Sequence, residues 1–92
     1  MTIDTLLKSK EIHILFDGCP TCHPESSKYL DECRTQAQHM RRQLHVVQSG
    51  SQTATLMRAI AKKQEQTVEY PMILMDGIIR YKPQDITERT TK

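Results

Sequence analysis

Two cysteines, Cys19 and Cys22, frame Pro20 and Thr21 in a Cys-x-x-Cys pattern. Two thiols at that spacing can close and open one disulfide. They follow the apolar residues Ile12, Ile14, Leu15 and Phe16 and the turn residues Asp17 and Gly18, and a long amphipathic stretch follows them. That order predicts a strand, a loop and the start of a helix. A helix N-terminus lowers the pKa of a thiol beside it, and the thiolate is the attacking species in disulfide exchange. On this reading Cys19, at the loop–helix boundary, is the nucleophile. Cys22, one turn further on, resolves the mixed disulfide. Pro20 stiffens the turn between them, and the reaction class is thiol–disulfide oxidoreduction.

The same residues fit two other chemistries. Cys19, Pro20, Thr21, Cys22 and His23 also spell the attachment pattern of c-type haem, with Met72 or Met75 available as an axial ligand. The strand-rich flanks and the lack of an export segment argue against it. Cys19, Cys22, Cys33 and His39 are a candidate zinc set. The last two fall on a predicted helix, where a spacing of six turns them to different faces. Cys33 belongs to an apolar stripe and reads as core, as free cysteines commonly are. His13 and His45 fall in predicted strands without an evident catalytic partner and read as structural. The expectation is therefore no bound metal and no resident cofactor, only a redox-active Cys19–Cys22 disulfide. A non-catalytic interaction module that keeps the motif is the alternative of a different class.

A chain of 92 residues makes one domain with one modest core. Its longest apolar runs, Ile14 to Phe16 and Met72 to Met75, are far too short to span a bilayer. The N-terminal residues lack a basic start followed by an apolar run, which predicts a cytoplasmic protein. In a reducing compartment a Cys-x-x-Cys is catalytic or metal-binding more often than structural. A net charge of +2 is too mild to indicate nucleic acid, and aromatic residues for stacking on bases are sparse. Arg41, Arg42, Arg58, Lys62 and Lys63 give basic helical surfaces, read as solvated faces able to steer an acidic protein partner.

Periodicity supplies the elements that must position the thiols. Ile12, Ile14 and Phe16 alternate with His13 and Leu15, a strand covered on both faces. Leu30, Cys33, Ala37, Met40 and Leu44 recur at steps of three and four, one stripe of a helix of about five turns with Pro24 near its start. Leu44 to Gln48 is a second strand. Ser49, Gly50 and Ser51 form a turn and a helix cap, and Thr53 to Gln64 is a second helix with Leu56, Met57, Ile60 and Ala61 inward and Arg58 outward. Met72 to Met75 and Ile78 to Lys82 are strands joined by the Asp76–Gly77 hairpin turn. Pro83 to Arg89 is a short last helix. The predicted order is β-α-β-α-β-β-α, a small mixed four-stranded α/β sheet flanked by helices, with the first strands parallel and the last two antiparallel.

That order, with a Cys-x-x-Cys at the first strand-to-helix junction, resembles the thioredoxin fold, over about Ile12 to Ile86. Cys19, Pro20, Thr21 and Cys22 resemble the Cys-Pro-Tyr-Cys of glutaredoxins. Thr67, Val68, Glu69, Tyr70 and Pro71 resemble the glutaredoxin Thr-Val-Pro, in which the proline is cis and faces the active site. The resemblance implies a glutaredoxin-like domain in which Pro71 is cis, Pro71 and Tyr70 line a groove for a protein disulfide substrate, and Thr21 lies at its rim. The sequence departs from the family in three places. Asp17 and Gly18 stand where a lysine is common, Glu69 and Tyr70 are inserted before Pro71, and Ile79 to Pro83 replaces a glutathione-binding Gly-Gly. That last segment is closer to redoxins that serve ribonucleotide reductase and draw electrons from thioredoxin reductase. The implied reductant is thus glutathione or thioredoxin reductase, and the implied assembly is a monomer without nucleic acid or membrane.

Overall fold

The computed structural model describes residues 2–18 and 24–82. Four strands, β1 (Ile12–Leu15), β2 (Leu44–Val47), β3 (Met72–Met75) and β4 (Ile78–Arg80), form one mixed sheet in the order β2-β1-β3-β4. Among the described residues three helices accompany it, α1 (Ile3–Lys8), α2 (Pro24–His39) and α3 (Gln52–Lys63). β1 runs parallel to β2, with Ile12 opposite Leu44 and Leu15 opposite Val47. β1 is antiparallel to β3, with Leu15 opposite Met72, and β3 is antiparallel to β4, with Met75 opposite Ile78. The parallel connection through α2 and the antiparallel hairpin are those the sequence predicts.

Side-chain alternation divides the core into two layers. Ile12, Ile14, Phe16, Ile73 and Met75 pack against Leu30, Cys33 and Ala37 of α2 on one face of the sheet. Leu15, Val47, Met72, Leu74 and Ile79 pack against Leu6 of α1 and Ala54, Met57, Ile60 and Ala61 of α3 on the other. Every side chain of β1 and β3 is buried, so these central strands are continuous apolar runs apart from His13. Among the described residues no helix is long and apolar enough to cross a membrane.

α1 is a finding the sequence reading lacks. Thr2 caps it, its hydroxyl accepting from the Thr5 N–H, and Leu6 alone is buried from it. A six-residue helix with one buried apolar position has no periodicity to read. α3 starts one residue earlier than the expected Thr53, with the Ser51 hydroxyl accepting from the Ala54 N–H. α2 ends at His39, short of the predicted stripe. Met40 and Leu44 nevertheless pack against the same core layer, from a turn and from β2. β4 ends at Arg80, earlier than expected. The predicted last helix, 83–89, lies outside the described residues.

Local chemistry explains the boundaries. Both long helices close on a non-glycine residue in the left-handed region, Arg41 at φ 57° and Glu65 at φ 57°. The Arg42 N–H returns to the Ala37 carbonyl at 3.0 Å and the Gln66 N–H to the Ala61 carbonyl at 2.8 Å, as in a Schellman motif. An L side chain in that region costs about 1–2 kcal/mol, of which glycine returns part through its larger unfolded-state entropy. Glu65→Gly should therefore stabilise the fold by about 0.5–1 kcal/mol in urea titration. An unchanged or lower midpoint would mean that the Glu65 side chain contributes more than its backbone costs. Gly77, at φ 79°, is confined from a second side, because a Cβ there would lie 3.3 Å from the Leu7 carbonyl oxygen.

Candidate functional site

The register fixes where the thiol-bearing segment leaves the sheet. β1 ends at Leu15, opposite Met72, so continuing the antiparallel pairing brings Phe16 alongside Pro71. The chain then turns through Asp17 and Gly18, the glycine at φ 141°, a conformation L side chains rarely adopt. It is described again from Pro24, the first residue of α2, with Glu25 in the first turn. Cys19, Pro20, Thr21, Cys22 and His23 lie outside the described residues. The frame on both sides of them is a strand end, a glycine turn and the start of a 16-residue helix.

Facing that junction, the Tyr70–Pro71 bond is cis, as the resemblance of this segment implies. The loop that carries it is tied down at several points. The Arg58 Nε donates to the Tyr70 hydroxyl at 2.8 Å, and its Nη2 donates to the Ser49 carbonyl at 2.9 Å. The guanidinium carbon also lies 5.8 Å from the centre of the Tyr70 ring. Arg58 is thus half-buried and engaged, a correction to its assignment as a solvated outward residue. The helical period correctly places it off the α3 stripe, but the period carries no information about a tyrosine twelve residues on. The Tyr81 hydroxyl donates to the Thr67 carbonyl, and the Tyr29 hydroxyl donates to the Tyr81 carbonyl at 2.8 Å. Burial, then the Glu69 carboxylate, raises the Tyr81 pKa, which keeps that hydroxyl a donor. Gln64, just past α3, donates to the Gly77 carbonyl and accepts from the Ile79 N–H at 3.3 Å. Tyr70 is therefore tied to α3 through Arg58, and Thr67 of the same loop is tied to Tyr81, which α2 holds through Tyr29.

The remaining sequence candidates are spread through the fold. Cys33 is fully buried in the α2-side core, as expected from its stripe, while His39 is exposed at the C-terminal end of α2. Met72 and Met75 are buried in opposite core layers. Among the described residues no group of three or more histidine, cysteine or acidic side chains is arranged to hold a metal ion. Burial, with Glu32 adding to it, pushes the Cys33 thiol up to about 12. In a Cys19→Ser/Cys22→Ser variant Cys33 is the one remaining thiol. It should resist iodoacetamide in native buffer near pH 8 and react once urea unfolds the chain. Rapid native labelling would contradict its placement in the core.

One cluster escaped the sequence reading. His13 and His45 are register partners on β1 and β2, and their rings lie 5.2 Å apart with planes 23° from parallel. His45 Nε2 lies 2.6 Å from Glu11 Oε1. His13 is only 7% exposed, and its pKa is lowered chiefly by burial and then by His45, with Glu11 opposing. The side chains were separately visible in the sequence, but the register that joins them was not. Comparison with protein-family models, with curated proteins and with solved structures finds no match.

Proposed function

We propose that this chain is a thioredoxin-fold, glutaredoxin-like thiol–disulfide oxidoreductase that acts through Cys19 and Cys22. The observation that carries this reading is the register of β1 with β3. It brings the Tyr70–Pro71 segment beside the strand end from which the Cys-x-x-Cys segment departs. The sheet order β2-β1-β3-β4, with α2 following the motif, supports the same reading.

The Cys19 thiolate attacks one sulfur of a protein disulfide. A Cys19–substrate disulfide forms, and the other substrate sulfur leaves as a thiolate and takes up a proton. The Cys22 thiolate then attacks Cys19 sulfur and releases the second substrate thiolate, leaving the Cys19–Cys22 disulfide. Two electrons pass from the dithiol to the substrate. An external dithiol or a pair of glutathione molecules returns them, with glutathione or thioredoxin reductase as the source. Pro20 restrains the dithiol turn. Tyr70 and Pro71 offer backbone to an extended substrate segment, and Thr21 borders it. A ribonucleotide reductase is a candidate target in this scheme, and the protein acts as a cytoplasmic monomer.

Equilibration in dithiothreitol redox buffers tests the proposal. The expected result is a reversible two-electron transition in which the intact mass falls by about 2 Da on oxidation. Peptide mapping should place the new bond between Cys19 and Cys22. Thiols that stay reduced across the whole range, or a disulfide mapped to another pair, would remove the basis of the reading.

A further inference from the structure

We propose that the His13–His45 stack is an acid-sensitive latch, which holds edge strand β2 on β1 at neutral pH and releases it when both rings are protonated. The device stands apart from the cysteine chemistry above. β1 and β2 are parallel and set the two histidines directly opposite each other. Their rings lie 5.2 Å apart with planes 23° from parallel. β2 ends the sheet order, so β1 alone joins it to the other strands. Loosening β2 leaves the pairing of β1, β3 and β4 in place.

Burial and hydrogen bonding make the two rings unequal. His45 is half-exposed, and its Nε2 lies 2.6 Å from Glu11 Oε1. A proton gained by His45 leaves its Nε2–H on the carboxylate and turns that contact into an ion pair. His13 has no such outlet. It is buried, and its Nδ1 is sealed from solvent with no hydrogen-bond partner among the described residues. An imidazolium carries N–H on both nitrogens, so charging His13 puts a donor on Nδ1 whichever neutral tautomer precedes it. That buried N–H has nothing to donate to, which is costly.

The surroundings do not offset that cost. The β3 residue opposite His13 is Leu74, and α1 and α3 cover this face of the sheet with Leu6, Ala54 and Met57, all uncharged. Among the described residues the charged groups acting on His13 are His45 on β2, which opposes its protonation, and Glu11, which favours it. Burial is the largest influence, and the His13 pKa lies below its ordinary value of 6.5. Opening β2 returns His13 to water and to that ordinary value. The open form therefore binds more protons below pH 6.5, so the latch is intact above that pH and weakens as pH falls below it.

The test is amide hydrogen exchange of the full-length protein at about pH 7.5 and about pH 5.5, corrected for intrinsic rates. The ring resonances of the four histidines are followed over the same range. Protection of residues 44–47 should fall about 3–10-fold at the lower pH while that of residues 72–75 holds. The His13 ring should titrate below 6.5. His13→Leu takes up no proton and should hold β2 protection within about twofold between the two pH values. Unchanged β2 protection in the parent, an equal loss in β2 and β3, or the parent's loss persisting in His13→Leu would each overturn the latch. So would a His13 ring that titrates at or above 6.5, a result that needs no variant.

Discussion

Cys19→Ser should lose disulfide reduction down to the uncatalysed background. A serine hydroxyl does not ionise near neutral pH and forms no disulfide, so the first step of the proposed cycle has no nucleophile. Cys22→Ser should fail differently. Its Cys19 can still attack, but nothing within the protein displaces the substrate, so a mixed disulfide accumulates through Cys19. Mass spectrometry after incubation with a protein disulfide separates the two outcomes, one unmodified and one carrying substrate. The account would fail if Cys19→Ser kept turnover, or if the trapped adduct formed through Cys22. The contrast matters more than either variant alone, because a merely structural pair would make the two substitutions equivalent.

The second large effect is on stability. Ile14 is fully buried in β1, the strand paired on both sides, and packs against the α2 layer. Ile14→Ala should cost about 2–5 kcal/mol through lost transfer energy and the cavity left behind. Domains of this size hold only about 5–15 kcal/mol in total. At about 4–8 °C per kcal/mol, the midpoint of thermal unfolding should drop by at least about 8 °C. Ile78, on edge strand β4, is 47% exposed and supplies the control. Ile78→Ala should change stability by no more than about 0.5 kcal/mol. Equal effects at the two positions would contradict the division between buried central strands and a partly open edge.

The apolar strands were the most legible part of the chain. Met72 to Met75 is bounded by Pro71 and by Asp76–Gly77, and the strand occupies that interval. The Leu15 interruption of a polar face announced that β1 is covered on both sides. Ser51 announced the start of α3 through its side-chain cap. Helix ends were harder, because Arg41 and Glu65 adopt a conformation that glycine would have signalled. α1 was too short for periodicity to act. At the candidate site, the proline beside the strand end was legible through its resemblance to a known motif. Arg58 against Tyr70, and Glu11 against His45, were not. The second pair joins residues 34 positions apart, and such contacts are created by register and packing, which no local pattern encodes.

Turnover of the reduced protein with two electron sources tests the central claim most directly. One supply is NADPH, glutathione reductase and glutathione, and the other is NADPH with thioredoxin reductase. The account predicts steady NADPH oxidation coupled to reduction of a protein disulfide with at least one of them. Turnover with glutathione would assign that reductant despite the absent Gly-Gly segment, and turnover with the reductase alone would assign the other. No turnover with either supply, from folded protein whose Cys19 and Cys22 are both reduced and titratable, would contradict it.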